Sequence, residues 1–225
     1  MVRIASVNVN GVRAAFRKGM GDWLEASGAD VVTLQEVRAE TPDLESLIDS
    51  KWTILHDPCE QKGRAGVAVL TTLNVTDHRV NFGPDSVDSS GRWIEVDLTT
   101  PDGAELTVVS AYVHSGEVDT PKQVAKYAFL DHMDVRLKEL AKSGRHVVVT
   151  GDMNVGHRTL DIKNWKGNLK NSGFLPEERA HFDLWLGAES DDDYNTGSND
   201  RFVDVGRRFS GEVEGPYSWW SYRGK

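Results

Sequence analysis

HVVVTGDMNVGH, residues 146–157, joins a strand pattern to two polar side chains that follow it. The run of valines favours a buried β-strand, because β-branched residues suit a pleated, two-sided core, and Gly151 ends the run. Asp152 and Asn154 stand two residues apart, so their side chains leave an extended chain on the same side. The pattern predicts a site at the C-terminal end of a strand. An Asp/Asn turn with local hydrogen bonds is the alternative for this segment.

Two strands near the N-terminus also end in oxygen-bearing side chains. Residues 2–10 alternate in the manner of a strand, which places Asn8 and Asn10 on one face at its end. Residues 29–36 form the next strand pattern, and Glu36 stands at its C-terminal end. Amide and carboxylate oxygens are therefore expected at two neighbouring strand ends.

A hairpin pattern occupies the middle of the chain. Residues 92–98 alternate, a Pro-Asp-Gly sequence supplies the turn, and residues 105–113 return as the second arm. Tyr112 lies near the end of that arm, in the same row as apolar residues. We expect its ring to be buried and its hydroxyl to need a partner.

Two helix patterns and one long polar segment complete the chain. Apolar residues at helical spacing predict one helix from Phe16 to Gly28. A second helix is predicted from Thr120, which begins a capping box with proline at the first helical position, to Gly144. The segment after His157 is polar and mixed up to Gly187, and residues 190–200 form an acidic loop.

The composition of the 225-residue chain is that of an ordinary globular protein, with 39% hydrophobic and 27% charged residues. A chain of this length can form one core, so we expect one domain over residues 1–225. No apolar run approaches the ~18 residues of a membrane span, and the N-terminus leads directly into a strand, which predicts a cytoplasmic protein. The single Cys59 fits a reducing compartment.

The net charge of −9 argues against a protein that coats nucleic acid by bulk attraction. Local charge differs from this average. Arg13, Arg17 and Lys18 form one basic group. In the second, Arg158, Lys163, Lys166 and Lys170 outweigh Asp161. An acidic protein with such basic segments is expected to bind a polyanion at one face.

The residue types at the strand ends indicate a hard divalent cation. Carboxylate and amide oxygens suit Mg²⁺ or Mn²⁺, which retain waters and share a substrate phosphate, whereas zinc favours cysteine and histidine. A cation of this kind polarises a phosphoryl oxygen while a carboxylate aligns or deprotonates a water. The spacing is consistent with phosphodiester hydrolysis, although spacing alone does not establish it.

Six segments form a family pattern by their order and spacing: SVNVNGVRA, TLQEVR, GRAGVAVL, SAYVHSGE, GDMNVGH and LDIKNWKGNLKNSGFLPEER. They resemble those of exonuclease III and the related apurinic/apyrimidinic (AP) endonucleases, within the endonuclease/exonuclease/phosphatase superfamily. The resemblance runs from Arg3 to Tyr222, and the NWKGNLKNSGFLPEER and PYSWWSYR segments point to the DNA-repair branch. It implies an α/β fold of the deoxyribonuclease I type, a four-layered sandwich of two packed, mostly antiparallel β-sheets flanked by helices.

The family pattern continues beyond PYSWWSYR with a GWRxDY-like strand and a terminal Asp-His pair, whereas the sequence stops at Lys225. We therefore expect the fold to be incomplete at its C-terminal end. The sequence is then either a fragment or a chain without some residues of the family's catalytic set. The Asp77-His78 and Asp131-His132 dipeptides lack the right context and are predicted to lie on the surface.

The resemblance implies a role for each residue at the strand ends. Glu36 matches the principal metal ligand, with Asn8 and Asn10 completing or supporting the metal shell. Three residues are implied in catalysis. Asp152 orients or activates the attacking water, and Asn154 is its hydrogen-bonding neighbour; both are also assigned to the metal site. The hydroxyl of Tyr112 approaches the scissile phosphate.

The resemblance also implies a set of DNA contacts. Positions that contact the DNA backbone in relatives are occupied by Arg13, Arg64, Asn168 and Asn171. Trp219 matches the wall of the pocket for a flipped-out abasic sugar, with a core aromatic as the alternative. Arg223 lies where relatives insert a side chain into the duplex.

These implications define an expected function. It is a Mg²⁺-dependent nuclease, with Mn²⁺ as a substitute, that cuts 5′ to abasic sites and has 3′-to-5′ exonuclease activity in base excision repair. The expected partner is double-stranded DNA with abasic sites or 3′ ends. The protein is expected to be a monomer and to have no membrane partner. The alternatives are a phosphatase or phosphodiesterase acting on inositol phosphates or lipids, and a domain that binds DNA without cutting it.

Overall fold

The computed structural model describes residues 1–82, 90–198 and 200–219. The chain divides into two compact units, one formed by Met1–Val113 with Gly144–Met153, and the other by His114–Ser143 with the described residues after Met153. The single domain expected over the whole chain stays a prediction.

The described part of the first unit contains two sheets and three helices. Its strands are β1 (Ile4–Asn8), β2 (Val31–Gln35), β3 (Thr53–Asp57), β4 (Val67–Thr71), β5 (Asn74–Val80), β6 (Trp93–Thr99), β7 (Glu105–Tyr112) and β8 (His146–Asp152), and its helices are α1 (Val12–Arg17), α2 (Met20–Ser27) and α3 (Thr41–Leu47). One sheet has the order β1-β2-β4-β3 and the other β5-β6-β7-β8. The β1/β2 and β7/β8 pairs are parallel and the other pairs antiparallel. The prediction of two mostly antiparallel sheets with helices is confirmed.

Alternation along β2 explains how its sheet is covered on both faces. Val31 packs toward the other sheet, in a cluster that includes Val69 of β4 and Val96 of β6. Val32 and Leu34 face the opposite way and pack with residues of α1, α2 and α3. Every residue of β2 is consequently buried, as expected for a strand between two apolar layers.

The single helix predicted between Phe16 and Gly28 is wrong, because two helices occupy this segment. Gly19 separates α1 from α2 in the left-handed conformation, with φ 99°. Glycine adopts that conformation without a Cβ penalty, so the chain can turn between two short helices. The apolar stripe is kept in part, since Met20 and Leu24 of α2 are buried whereas Trp23 is 40% exposed.

The strand predicted from HVVVTG is present as β8 but differs from the prediction in two respects. It continues to Asp152, one residue beyond Gly151, in register with β7, where Tyr112 pairs with Asp152. Its valines are half-buried instead of buried. Within the described ranges β8 pairs with β7 alone and lies at the sheet edge, which accounts for this exposure.

Gly151 is the residue on which the end of β8 depends most. Its φ is 140°, and a Cβ built there would lie 1.9 Å from the carbonyl oxygen of Ala111 on β7. We expect Gly151→Ala to lower the free energy of unfolding by about 3 kcal/mol or more, because two paired backbones would have to separate. Urea unfolding measures this loss.

Gly103 supplies the matched control for that substitution. Its φ of 83° is also left-handed, but a Cβ there meets nothing within 4 Å. Gly103→Ala should therefore cost about 1 kcal/mol from backbone strain alone. Equal losses in the two variants would contradict the proposed clash.

The described part of the second unit is helical. It contains α4 (Pro121–Ala141), a 3₁₀ turn (Thr159–Asp161), α5 (Trp165–Asn168), α6 (Pro176–Leu186) and α7 (Val205–Ser210). The predicted helix after Thr120 is confirmed as α4, whose N-cap Thr120 accepts a hydrogen bond from Lys122 N. The predicted capping box is wrong, because the Gln123 side chain donates to Glu178 Oε1 and does not turn back to the N-cap. Helix α6 lies in the segment that gave no helix pattern. Among the described helices, none has the length and apolar character that crossing a bilayer requires.

Candidate active site

The carboxyl ends of β1, β2 and β8 bring three of the predicted residues together in the first unit. Asn8 ends β1, Glu36 follows β2 and Asp152 ends β8. The Asn8 Nδ2 amide donates to Glu36 Oε1 and to Asp152 Oδ2, each at 2.9 Å. One amide therefore bridges two carboxylates that come from different sheets.

Buried polar side chains beneath this point hold the two sheets in register. Gln35 Nε2 donates to Ser110 Oγ at 3.0 Å, and Ser110 Oγ donates to the Leu34 carbonyl at 3.0 Å. The Thr33 and Thr150 hydroxyls are hydrogen-bonded at 2.7 Å. Because a buried polar group is costly to leave without a partner, these bonds fix how the ends of β2, β7 and β8 meet.

Glu36 is held by its backbone and by a cation that sequence analysis missed. Its φ of 53° is left-handed, so the chain leaves β2 sharply at this residue. The side chain is 13% exposed and forms an ion pair through Oε2 with Arg38. The signal for Arg38 is present in the TLQEVR segment, where it stands two residues after Glu36.

Tyr112 carries a neutral hydroxyl. Burial raises the pKa of Tyr112 to about 12, and the charge of Glu36 and a hydrogen bond to it add to that shift. Arg92, which sequence analysis also did not identify, lowers the pKa of Tyr112, because its guanidinium lies 4.6 Å from the centre of the tyrosine ring. The hydroxyl therefore stays protonated at neutral pH and is available as a hydrogen-bond donor.

The donor set at this sheet edge fits a hard divalent cation. Glu36 and Asp152 contribute carboxylate oxygens, the ligands that Mg²⁺ and Mn²⁺ prefer. Asn8 faces both carboxylates with its amide nitrogen, while its Oδ1 accepts the Asn10 N–H at 3.0 Å. In this orientation Asn8 fixes the two carboxylates by hydrogen bonds and supplies no oxygen ligand of its own to a cation.

The expectation that Asn8 and Asn10 share one strand face, and likewise Asp152 and Asn154, is wrong. Both pairs assume an extended chain, whereas β1 ends at Asn8 and β8 ends at Asp152. Asn10 has φ 44° and Asn154 has φ 49°, so each strand is followed by a left-handed turn. Asn154 belongs to the second unit.

The predicted DNA-contacting arginines of the first unit lie at its surface. Arg13 is exposed in α1 and its Nη1 lies 2.9 Å from Asp43 Oδ2 of α3. Arg64 is exposed in the loop before β4, and its backbone N–H donates to the Gln61 carbonyl. An exposed ion pair of this type contributes little to stability, so Arg13 can exchange Asp43 for another anion.

The predicted contacts of the second unit cluster around α5 or lie near the end of the described chain. Asn168 Nδ2 donates to the Asn164 carbonyl at 2.9 Å, and Asn171 Nδ2 donates to Asn168 Oδ1 at 3.1 Å. Trp219, the last described residue, is 75% exposed, and its assignment to the abasic pocket stays a prediction. Arg223 lies outside the described residues.

A further group of possible metal ligands lies between α4 and α6. Ligand atoms of Asp131, Asp134 and His181 come within 4.8 Å of one another. Asp134 already accepts a hydrogen bond from Trp185 Nε1 and is bonded to His181 Nδ1, each at 2.7 Å. Sequence analysis named Asp131 only within a surface dipeptide and did not name Asp134 or His181. The hydrogen bonds of Asp134 link the two helices.

Comparison with known proteins places this geometry in a family. Residues 5–225 match the profile of the endonuclease/exonuclease/phosphatase family. The chain is 31% identical to exodeoxyribonuclease III of Haemophilus influenzae, covering 100% of this chain and 82% of that protein. It is 29% identical to the DNA repair nuclease APEX1 of Danio rerio, covering 98% of this chain and 67% of that protein.

A solved structure supports the fold. The AP endonuclease of Leishmania major superposes with a TM-score of 0.76 at 23% identity, covering 99% of this chain and 73% of that one. This likeness confirms the predicted fold class.

Proposed function

Because the chain belongs to the endonuclease/exonuclease/phosphatase family, we propose that it is a Mg²⁺-dependent DNA-repair nuclease of the exodeoxyribonuclease III and AP endonuclease type. It cuts the phosphodiester 5′ to abasic sites in double-stranded DNA and removes nucleotides from 3′ ends, as a monomer in base excision repair. The observation that carries the proposal is the Asn8 amide that bridges Glu36 and Asp152.

The named relatives support a DNA substrate over other phosphates. Exodeoxyribonuclease III of Haemophilus influenzae and APEX1 of Danio rerio are both named as DNA nucleases, and both align with nearly the whole chain. The NWKGNLKNSGFLPEER segment, residues 164–179, lies within the aligned region and forms α5 and part of α6. We therefore assign the chain to the DNA-repair branch of the family.

We assign the metal position to Glu36, with Asp152 as a second carboxylate. A bound Mg²⁺ supplies Lewis-acid polarisation of a phosphoryl oxygen. Asn8 and Asn10 support the shell, Asn8 by hydrogen bonds to both carboxylates and Asn10 by its N–H to Asn8. The supporting amide fixes the carboxylates before substrate arrives, which avoids reorganisation during the reaction.

Asp152 is proposed to orient the attacking water and to accept its proton. A carboxylate in this role acts as general base, and its hydrogen bond from Asn8 Nδ2 fixes one oxygen. Tyr112, protonated because its pKa is raised to about 12, donates to a non-bridging phosphate oxygen. Asn154, two residues after Asp152 in the chain, is assigned a hydrogen bond to the water or the phosphate.

DNA binding is assigned to contacts with the DNA backbone, which do not distinguish one base sequence from another. Arg13 and Arg64 supply cations, Asn168 and Asn171 supply amides, and the lysines 163, 166 and 170 beside them are exposed. Phosphate contacts position a duplex without reading it, as an enzyme directed to lesions requires. These local basic groups counter the net charge of −9. Arg158, which sequence analysis placed in the second group, is buried and paired with Glu189 and Glu212, so it does not contribute to this basic surface.

Selection of abasic sites is assigned to Trp219 and Arg223. An abasic nucleotide has no base to unstack, so turning it out of the duplex costs less than flipping an intact nucleotide. The exposed Trp219 ring can pack against the sugar that is turned out. Arg223 is assigned to insert its side chain into the duplex, at the position that the abasic nucleotide has left.

The proposed function is tested by offering the chain three substrates with Mg²⁺ present. These are a duplex with one abasic analogue, a duplex with a recessed 3′ end, and an inositol polyphosphate. We expect incision 5′ to the lesion and shortening of the 3′ end, both stopped by EDTA. Phosphate release from the inositol polyphosphate without DNA cleavage would favour the phosphatase alternative, and binding of DNA without cleavage would favour the non-catalytic one.

A further inference from the structure

A fully buried ion pair joins helices α4 and α6 in the second unit. Lys126 Nζ of α4 is 2.8 Å from Glu178 Oε1 of α6, and both side chains are 0% exposed. Burial of two charges costs desolvation energy, so such a pair is weak evidence for stability and invites a functional explanation. Burial raises the pKa of Glu178, but hydrogen bonds from Lys126 and Gln123 lower it overall, so the carboxylate stays charged.

The Glu178 carboxylate gathers donors from three parts of the unit. The donors besides Lys126 are Gln123 Nε2 at 2.9 Å and the backbone N–H groups of Gly173 and Leu175 at 2.7 and 3.1 Å. The Ser172 hydroxyl has one proton for two acceptors, Glu178 Oε1 at 3.0 Å and the Ser115 carbonyl at 2.7 Å. Ser172 directly follows the predicted DNA contact Asn171. The carboxylate thus fixes the backbone that leads from that contact into α6.

The ammonium of Lys126 reaches the other proposed functional segment. Its Nζ donates to the backbone carbonyl of Asn154 at 2.8 Å. Asn154 has φ 49°, a left-handed conformation that is uncommon for a residue with a side chain. A charged donor on the Asn154 carbonyl stabilises one orientation of this peptide, and hence one direction for the Asn154 side chain.

Close backbone packing leaves this segment little freedom. The Gly156 N–H donates to the Gly173 carbonyl at 2.9 Å, and a Cβ on Gly173 would lie 3.2 Å from the Asn154 oxygen. A Cβ on Gly116 would lie 2.3 Å from Ser172 Oγ and 2.9 Å from Lys126 Cδ. The segments around residues 116, 154–156 and 172–173 therefore pack directly on the ion pair.

We propose that Lys126 and Glu178 are positioning residues for the nuclease reaction, acting through the Asn154 backbone, with Glu178 holding the Lys126 ammonium in place. The inference rests on the proposed function of Asn154. Neither charged group touches substrate, since both are fully buried. Their contribution is to hold one conformation of a left-handed residue that follows the end of β8.

The test replaces both partners together, because removing one would leave a buried charge without its counter-charge. Lys126→Met with Glu178→Gln removes both charges and keeps an oxygen for the Gly173 N–H. We expect kcat for abasic incision to fall about 10- to 100-fold, since small displacements of catalytic groups have effects of this size. KM and the midpoint of thermal unfolding should change little.

A double-mutant cycle with Asn154→Ala separates positioning from general damage. If the pair acts through Asn154, adding Lys126→Met and Glu178→Gln to Asn154→Ala should lower kcat by less than about threefold more. Glu139→Gln is the matched control, because Glu139 is an exposed carboxylate on the same helix, α4, and pairs with Arg136 away from the Lys126–Glu178 pair. Its kcat should equal that of the unchanged chain.

Three outcomes would overturn the inference. They are an unchanged kcat in the paired variant, a loss of kcat that multiplies with that of Asn154→Ala, and an equal loss in Glu139→Gln. An unchanged chain that cuts neither DNA substrate instead refutes the proposed function. In that case hydrogen exchange at the Gly156 N–H tests the positioning role. Exchange should be faster in the paired variant than in Glu139→Gln, and equal exchange rates in the two variants would overturn the inference.

Discussion

Asp152→Asn should lower kcat for abasic incision by about 10²–10⁴-fold, the range for loss of a positioned general base. Asparagine has the shape of aspartate but cannot accept a proton or supply its charge. The Asn8 Nδ2 amide, now 2.9 Å from Asp152 Oδ2, would still find an oxygen acceptor. The substitution therefore removes the chemistry and leaves the arrangement of strand ends in place.

Binding of the duplex separates this explanation from loss of the DNA surface. Affinity of Asp152→Asn for a duplex with one abasic analogue should stay within about threefold of the unchanged chain, because the proposed contacts lie elsewhere. Asp77→Asn, at an exposed carboxylate on β5, is the control and should keep full activity. Loss of affinity in parallel with loss of kcat would contradict the role given to Asp152.

Glu36→Gln should raise the Mg²⁺ concentration for half-maximal rate at least about 100-fold, since even the outer partners of metal ligands are typically worth 10–100-fold. Glutamine keeps the size of glutamate and an acceptor for Asn8 and Arg38, but it lacks the negative charge that a divalent cation requires. Incision rate measured against Mg²⁺ concentration gives the shift. High Mg²⁺ should restore part of the rate.

Glu105→Gln is the matched control for this substitution. Glu105 lies at the start of β7, the end of the strand away from Tyr112, and pairs with Arg145 at 3.1 Å. Its replacement should leave the Mg²⁺ dependence unchanged. A half-saturation for Glu36→Gln equal to that of the Glu105→Gln control would exclude Glu36 as the metal ligand.

The elements that sequence predicted well are those with strong local signals. Helix α4 has a proline start, a threonine cap and a regular apolar stripe, and its N-cap matches the prediction. The hairpin of β6 and β7 follows from alternation and a Pro-Asp-Gly turn. In both cases the residues that determine the element lie within it, so local physics is sufficient.

The errors arise where backbone conformation departs from the regular period. Asn10 and Asn154 were placed by the alternation of an extended chain, but left-handed turns follow β1 and β8. Gly19 likewise divides a continuous apolar stripe into two helices. Periodicity reports which side chains share a face and carries no information on where a single residue reverses the chain.

The contacts that build the candidate site are long-range and could not be derived from local pattern. Asn8 and Asp152 are 144 positions apart in the sequence, and Gln35 and Ser110 are 75 apart. Sequence supplied Glu36 and Asp152 as strand-end carboxylates, and family resemblance supplied their roles. The bridging amide, the Arg38 ion pair and the Lys126–Glu178 pair required the structure.

The central claim is that Glu36 and Asp152 act as one site, joined by Asn8. Single-turnover incision of a duplex with one abasic analogue, by the combined Glu36→Gln and Asp152→Asn variant, tests it most directly. Residues that act as a unit show non-additive losses, so the combined variant should cut within about tenfold of Asp152→Asn alone. A rate reduced by the product of the two separate losses would show that the two carboxylates act independently, and would contradict the claim.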